Sequence, residues 1–301
     1  RASTYRRSSF KVYEDFLDIP DHKSGVMIQL RRDENVFSAL EITLDYKAAF
    51  KHSASGFSGM NGFSGMWGST GSTSQNGQNG QHGEPASHGQ NGHDLDIYVD
   101  AYFDTIINET LFKVYIGDLY TEKAKRYLVN TKGGSLHVSA QGGYGGEGGD
   151  GGHGGNGGNG KNGDFYTETI REYVTVKDTA GHNITKEITH EITRQRPGGD
   201  GADGGSGGWG GPGGNGGNGG SIIVFMTEAA KPYTNLLNIY VEGGMGGRGG
   251  NGGRGGSGGA GGSGNPPGKT GRNGLSGLNG PSGYSGYNGR IEFRNIDQIP
   301  W

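Results

Sequence analysis

The side chains best suited to chemistry in this sequence are imidazoles and carboxylates that lie on or beside glycine-rich segments. The histidines are His82, His88, His93 and His153. The carboxylates are Glu147, Asp150, Asp200 and Asp203, and they would face Arg248 and Arg254. Histidines brought together would bind a transition metal, and clustered carboxylates would form a weak calcium site. Their spacing does not unite them, so we expect exposed histidines and a solvated mixed-charge surface, with no metal and no cofactor.

The residue types do not indicate nucleophilic catalysis either. The chain has no cysteine, which excludes a thiol nucleophile, disulfides, cysteine-based zinc sites and iron–sulfur clusters. The Gly-Lys-Thr segment at 268–270 ends like a phosphate-binding loop, but Ser263 stands where that motif needs its first glycine, and two prolines interrupt the loop. Serine, histidine and aspartate occur without a spacing that unites them. We therefore predict that the protein is not an enzyme and binds no nucleotide.

The charge balance and the hydropathy exclude two further classes. Lys plus Arg total 27 and Asp plus Glu total 30, which gives a net charge of −3. Nucleic-acid binders normally carry a basic excess, so no nucleic-acid partner is expected. No apolar run approaches the roughly 18 residues of a membrane helix, so no membrane span is expected.

Glycine supplies 68 of the 301 residues, and over long stretches it occupies every third position. Four tracts of equal length carry glycine at eight successive third positions: 142–163, 198–219, 243–264 and 268–289. A further tract, 56–92, keeps the period over thirteen positions, with Ser74 and Ala86 as its replacements. A flexible linker does not require such a strict period, so the pattern indicates an ordered structure.

A three-residue period with invariant glycine predicts extended helices with three residues per turn, packed too closely for a Cβ atom. Collagen is one such structure, but it needs about 15–20% proline, and this chain has nine prolines. We predict instead polyglycine-II helices folded back and forth within one chain, the 22-residue tracts being roughly 68 Å long. Such helices have no internal hydrogen bonds, so their neighbours must satisfy their backbone groups. A turn near residues 72–76 would divide the 56–92 tract and give about six helices.

The composition of each tract predicts its place in the bundle. Three tracts, 142–163, 198–219 and 243–264, read Gly-Gly-X, which leaves two glycine faces for neighbours and one variable face for solvent. The other two, 56–92 and 268–289, read Gly-X-Y and keep one glycine face. We therefore expect the first three inside a two-layer arrangement and the other two at its edges.

Large apolar residues recur along the two edge tracts and form two ladders. The first ladder is Phe57, Met60, Phe63 and Met66, and the second ladder is Leu275, Leu278, Tyr284 and Tyr287. They either pack on the β portion or on each other, or form an interface for another subunit or a ligand. Trp67, Trp209 and Trp301 are further interface candidates, because large aromatic side chains dominate interface energies.

The sequence between the tracts alternates as half-buried strands do. Strands are predicted at residues 26–30, 40–46, 95–101, 111–116, 127–129, 136–140, 221–226, 237–241 and 291–293. Residues 166–176 and 184–193 predict a projecting hairpin, with a short helix as the alternative; residues 120–125 are the other helix candidate. The β portion comprises 22–50, 94–140, 165–196, 221–242 and 290–301 and runs directly into the tracts. This layout predicts a mainly β single composite domain over 1–301, a β-barrel or sandwich joined to the glycine bundle.

The junctions between strands and tracts resemble a known family. Residues 213–224 read Gly-Gly-Asn-Gly-Gly-Asn-Gly-Gly-Ser-Ile-Ile-Val, so a glycine repeat passes directly into a strand. This arrangement is similar to the amino-terminal domain of the Obg GTPases, in which six glycine-rich left-handed helices join a small β-barrel. The tracts here are longer than in that family, so the resemblance implies a fold and carries over no GTPase or ribosome function. The tracts also resemble those of phage tail-tip adhesins, where stacked helices expose recognition loops.

Together these features predict a non-enzymatic structural or self-assembling surface protein, a fibre or filament subunit or an adhesin. Its expected location is extracellular or on a cell or virion surface, and its expected partner is another copy or another surface protein. Residues 1–10 are a candidate arm for docking on a neighbour. The alternative is a ligand-recognition module of a larger receptor or adhesin that binds carbohydrate or protein.

Overall fold

The computed structural model describes residues 25–32, 35–43, 46–105 and 107–299. The predicted arm at 1–10, Leu44 of a predicted strand and Trp301 lie outside the described residues. The fold is mainly β, and strands alternate along the chain with the glycine tracts. The described part contains one short 3-10 helix, Lys231–Leu236, and no α-helix.

Twelve strands follow one another through the described residues. The first six are β1 (Gly25–Arg32), β2 (Asn35–Thr43), β3 (Ala49–Ser53), β4 (Leu95–Asp104), β5 (Glu109–Asp118) and β6 (Lys123–Asn130). The other six are β7 (Ser135–Ser139), β8 (Phe165–Lys177), β9 (Asn183–Gln195), β10 (Ile222–Met226), β11 (Leu237–Tyr240) and β12 (Ile291–Asn295). The sequence pattern missed β3 and the 3-10 helix, and it began β2 five residues late, at residue 40 instead of Asn35.

Two sheets share one core. The larger sheet has the strand order β12-β10-β4-β5-β6, and the smaller sheet has the order β11-β7-β3. Along β4 and β10, buried and partly exposed residues alternate, because successive side chains point to opposite faces of a sheet. Side chains of both sheets form a single buried cluster, in which Ile97, Phe112, Val138 and Val224 are fully buried. The two sheets therefore pack as a sandwich; β1 and β2 pair with each other in a separate antiparallel hairpin.

Outside the sheets, the glycine tracts lie side by side as six segments, named g1 to g6. They are g1 (56–71), g2 (77–92), g3 (142–163), g4 (198–219), g5 (243–264) and g6 (268–289). Segments g1 and g2 both come from the 56–92 tract. That tract reverses at residues 72–75, where the Gln75 N–H donates to the Ser72 carbonyl. The six segments together are called the slab below.

The odd-numbered segments form layer A of the slab, and the even-numbered segments form layer B. Neighbours within a layer run parallel, and the hydrogen bonds between them advance three residues at a time along both chains. In layer A, the Gly59 N–H of g1 donates to the Tyr144 carbonyl of g3, and g3 donates to g5 in the same way. In layer B, the Gly83 N–H of g2 donates to the Trp209 carbonyl of g4, and g4 donates to g6.

Segments in different layers run antiparallel and are also hydrogen-bonded. The Gly208 N–H of g4 donates to the Gly152 carbonyl of g3, and the Gly253 N–H of g5 donates to the Gly208 carbonyl, both at 2.8 Å. Segments g3 and g4 each bond to four neighbours, whereas g1 and g6 each bond to two. Segment g5, from a tract that we predicted to be internal, lies at the end of layer A but is bonded to g6 of layer B.

Each layer continues directly into one of the two sheets. Strands β3, β7 and β11 lead into g1, g3 and g5, and their order in the smaller sheet is the order of layer A. Segments g2, g4 and g6 lead into β4, β10 and β12, which are neighbours in the larger sheet. Lateral hydrogen bonds cross the junctions: the Ala54 N–H donates to the Ser139 carbonyl, and the Leu95 N–H donates to the Ser221 carbonyl. The reversals at 72–75 and 265–267 and the β8–β9 hairpin lie at the opposite end of the slab.

Glycine is required in the slab by space and not by backbone angles. Among the described glycines, only Gly133 and Gly181 have positive φ, and both lie outside the slab. A Cβ atom at Gly211 of g4 would lie 2.0 Å from the carbonyl oxygen of Glu84 in g2. Because the neighbour is backbone, it cannot rotate away as a side chain would, so the two segments would have to separate.

The chain between g3 and g4 forms the predicted hairpin. Strands β8 and β9 pair antiparallel from Phe165 with Gln195 to Lys177 with Asn183. The helix alternative for this stretch is wrong: a spacing of four keeps isoleucines on one face of a strand as well as of a helix. The helix predicted at 120–125 is also wrong, because Glu122 has a φ of 57° and the chain turns there into β6.

Candidate interaction surfaces

The first ladder lies exposed along the edge of the slab where g1 meets g2. The carbonyls of Phe57, Met60 and Phe63 accept hydrogen bonds from g2, while their side chains point to solvent. Phe57, Met60 and Phe63 are each 77% exposed, and Met66 is 68% exposed. The expectation that this ladder packs on the β portion or on the other ladder is therefore wrong.

The second ladder is equally exposed and lies on the outer face of layer B. Leu275, Leu278, Tyr284 and Tyr287 are between 67% and 82% exposed. They belong to g6, which bonds to g4 and g5, whereas g1 bonds to g2 and g3. The two ladders thus lie at opposite ends of the slab, and they do not form one continuous surface.

The two described tryptophans that we predicted as contact residues lie on opposite faces of the slab. Trp67 of g1 is 75% exposed, and its ring lies 4.9 Å from the His153 ring of g3 on the face of layer A. Trp209 of g4 is 57% exposed, and its ring lies 5.2 Å from the His82 ring of g2 on the face of layer B. Each face therefore presents one tryptophan supported by a histidine.

A groove of about 400 Å³ runs beside Trp67 on the face of layer A. Its lining side chains combine an aromatic ring with acceptors and a cation: Ser64, Trp67, Asp150, His153, Asn251 and Arg254. Asp150 Oδ1 accepts hydrogen bonds from the backbone and side-chain N–H groups of Asn251 at 2.7 and 3.1 Å. The groove could therefore hold a flat polar ligand against the indole ring.

The residues that the sequence reasoning missed are side chains that hold neighbouring segments together. In g3, g4 and g5 the glycine N–H groups donate to neighbouring backbones, and the N–H of the variable residue faces outward. In g6 the N–H of the residue that follows each glycine faces outward in the same way. A side chain of the adjacent segment in the same layer accepts this outward N–H at 2.6–3.0 Å. These side chains, called amide caps here, are Asn61, Asn76, Asn79, His82, His88, Asn91, Asp150, His153, Asn156, Asn159, Asn162, Asp200, Asp203, Asn215 and Asn218.

The amide caps explain why asparagine recurs at the variable positions. Asparagine and aspartate carry an acceptor oxygen on a short side chain, and a hydrogen bond of this kind contributes about 0.5–1.5 kcal/mol. The signal in the sequence was the repetition of Asn, Asp or His at variable positions of adjacent tracts. Reading these positions only as a solvent-facing ridge overlooked their role.

Four side chains of g6 cap the edge of g5 in a related way. Asn273, Asn279 and Asn288 accept the N–H groups of Gly258, Gly252 and Gly243 at 2.9–3.0 Å. Ser282 lies 3.4 Å from the Gly249 N–H. Part of the edge of layer A at g5 is therefore already hydrogen-bonded within the chain.

The four histidines considered for metal binding are separated in the structure. His82, His88 and His153 each accept a backbone N–H through Nδ1. His93 lies instead at the end of g2, with its Nδ1 2.8 Å from Asp118 Oδ2. Among the described residues, no group of three or more His, Cys, Asp or Glu side chains could hold a metal ion.

The four carboxylates considered for a calcium site are divided between the two faces of the slab. Glu147 and Asp150 belong to g3 in layer A, whereas Asp200 and Asp203 belong to g4 in layer B. Asp200 and Asp203 accept the backbone N–H groups of the next segment and act as amide caps.

Asp118 fixes the turn after β5 at the junction of g2 with β4. Burial raises the pKa of Asp118, but hydrogen bonds from His93, Thr121 and Tyr120 lower it by more, so the pKa lies below its ordinary value of 3.8. The carboxylate stays ionised and holds the turn through the N–H groups of Tyr120 and Thr121 at 2.9 and 3.1 Å. This arrangement anchors a loop and brings no reactive group to a cavity.

In comparisons with known proteins, no family model, no curated protein and no solved structure matched the chain. Within the described residues, no helix has the length and apolar character needed to cross a membrane.

Proposed function

We propose that this chain is a non-enzymatic structural protein that assembles at a cell or virion surface, as a fibre subunit, a filament subunit or an adhesin. In this proposal g1 to g6 are six polyglycine-II helices, similar to those of the Obg amino-terminal domain. They form a stiff body that carries contact residues along its length, and another copy or another surface protein binds there.

The hydrogen-bond network supports the stiffness of the slab. Glycine loses more conformational freedom on folding than any other residue, so an isolated tract would stay disordered. Each interior segment instead donates to segments in its own layer and in the other layer, and the amide caps satisfy outward N–H groups. The segments therefore order together, and bending one of them would break bonds to its neighbours.

The observation that carries the assembly function is the exposure of the two ladders. A soluble monomer rarely exposes contiguous apolar patches larger than about 300–600 Å². Phe57 and Phe63 are 77% exposed, and Tyr284 and Tyr287 are more than 80% exposed. Because these residues repeat every third position on a flat body, they form rows, and rows of apolar side chains are suited to contact with another elongated surface.

Sedimentation velocity over a hundredfold concentration range, with negative-stain imaging of the same samples, tests the proposed function. We expect particles larger than one chain that increase with concentration. The matched variants are Phe63→Glu in the first ladder and Tyr284→Glu in the second. A chain that remains monomeric at the highest concentration would refute assembly between copies.

A ligand-recognition module is the second candidate, and the groove beside Trp67 favours it. An exposed indole next to Asp150, Asn251 and Arg254 offers a stacking surface and hydrogen-bonding groups within one groove. Under this candidate the monomer binds a saccharide, and Trp67→Ala abolishes binding on a glycan panel while Trp209→Ala on the opposite face does not. Equal loss in both variants would contradict a site at this groove.

A further inference from the structure

We propose that the first ladder joins two copies of this chain into a closed antiparallel dimer, with its twofold axis between Met60 and Phe63. This inference rests on the proposed function and specifies which surface assembles. It commits to a second copy as the occupant of the g1 edge, and it assigns no such role to the second ladder.

Segment g1 itself carries no charged side chain, and among the g2 residues whose N–H groups donate to g1 only Glu84, which donates to the Phe63 carbonyl, is charged. Residues 53–81, which include g1 and the start of g2, contain no Asp, Glu, Lys, Arg or His. Natural proteins normally place charges on edges that must not associate. A row of uncharged side chains meets an identical row without repulsion between the ladder residues, so the first ladder is suited to a twofold interface.

The opposite end of the slab has features that oppose such pairing. Segment g6 begins with Lys269 and Arg272, so it carries positive charge where g1 carries none. The N–H groups of g5 at that edge are already bonded to Asn273, Asn279 and Asn288. The contrast between the two ends favours the first ladder as the contact between copies.

The order of residues in the first ladder selects the antiparallel arrangement. The ladder reads Phe57, Met60, Phe63, Met66. A twofold axis between Met60 and Phe63 places Phe57 opposite Met66 of the second copy and Met60 opposite Phe63. Every contact then joins a thioether to an aromatic ring, which is a favourable pair. A parallel arrangement would place each residue against itself.

The size of the ladder fits a stable interface. With three quarters of each side chain exposed, the four residues offer roughly 500 Å² of apolar surface. That is the larger part of the about 800 Å² that each partner buries in a standard interface. Exposed Gln78, Gln81 and Glu84 of g2 lie beside the ladder, since their N–H groups donate to the carbonyls of Ser69, Met66 and Phe63, and they would form the polar and charged rim.

Sedimentation equilibrium of the full chain tests which ladder is used. We expect a dimer, and Phe63→Glu should raise its dissociation constant by about 100-fold or more, with an unchanged melting temperature because Phe63 is exposed. Tyr284→Glu, at an equally exposed site, should leave the dimer intact.

Single-cysteine variants test the direction, because the chain has no cysteine of its own. Met60→Cys and Phe63→Cys are mixed under reducing conditions and then oxidised. In the antiparallel dimer the mixture forms a disulfide between the two variants. Each variant alone forms little, because like residues lie about 9 Å apart along the segment, beyond the roughly 7 Å that a disulfide spans between Cα atoms.

The outcomes separate the inference from the function on which it rests. Assembly that Tyr284→Glu abolishes and Phe63→Glu does not would overturn the inference and leave the assembly function standing. Efficient disulfides in each single variant would overturn the antiparallel arrangement. A monomer at all concentrations would overturn both.

Discussion

Gly207→Val tests the packing of the slab most directly. A Cβ atom at Gly207 of g4 would lie 2.0 Å from the carbonyl oxygen of Gly253 in g5, 2.4 Å from the carbonyl carbon and 2.9 Å from the carbonyl carbon of Arg254. Valine adds two methyl groups beyond that atom. Since only backbone surrounds the site, g4 and g5 must move apart by more than 1 Å to reach ordinary contact distances of about 3.5 Å.

The cost follows from the hydrogen bonds that this separation would break. Three bonds join g5 to g4 around the site: Gly253 N–H to Gly208 and Gly256 N–H to Gly205, both at 2.8 Å, and Gly250 N–H to Gly211 at 2.9 Å. At about 1 kcal/mol each, with about 1–3 kcal/mol for overpacking, the loss is roughly 4–6 kcal/mol. We expect the melting temperature to fall by about 10 °C or more, measured by differential scanning calorimetry.

Asn215→Val is the matched control on the same segment. Its side chain is exposed and accepts the Tyr284 N–H at 2.9 Å, so its loss should cost about 0.5–1 kcal/mol. Equal shifts for Gly207→Val and Asn215→Val would refute the packing described here.

Three further predictions concern the sandwich, the acid response and the slab amides. Phe112→Ala, at a fully buried site, should lower the free energy of unfolding by about 3–5 kcal/mol in urea denaturation; a loss below 1 kcal/mol would contradict its place in the core. The folded-state pKa of Asp118 is lowered, so its contribution to stability is present above about pH 3.8 and is lost as the pH falls further. Asp118→Asn should therefore lower stability by about 1–2 kcal/mol at neutral pH and weaken its dependence on pH below 4, and an unchanged acid profile would refute this. In hydrogen exchange, the Gly208 amide should exchange as slowly as core amides of the sandwich; exchange at the rate of an unfolded chain would exclude an ordered slab.

Alternation along the sequence located most strands because the two sheets share one core. Buried residues occupy every second position in the first half of β4 and along the whole of β10, which is the pattern expected of half-buried strands. Strand β3 was not predicted because its half-buried positions are Phe50 and His52, and one apolar residue does not form a recognisable alternating run. The position of g1 at an edge follows from its single glycine face, since two variable residues in every three leave room for few neighbours.

The exposure of the ladders and the hydrogen bonds of the polar residues could not be predicted from the sequence, because both depend on which segments become neighbours. Spacing reveals a row of apolar side chains, but it does not reveal whether another segment covers them. In the same way, His82 and Asn215 are ordinary exposed residues until g2, g4 and g6 lie in one layer. Only then do their side chains meet the outward N–H groups.

The three-residue step that links all six segments also constrains how the chain can change in length. One residue inserted into g3 would shift every later glycine of that segment out of the three-residue register, so that side chains would meet neighbouring backbones. An insertion of three residues would keep the glycines in register. The N–H groups of the inserted residues would be hydrogen-bonded only if the adjoining segments were lengthened as well. The slab can therefore become longer in steps of about 9 Å if all six segments gain three residues together. Otherwise the longer segment would extend beyond its neighbours at the end that carries the β8–β9 hairpin.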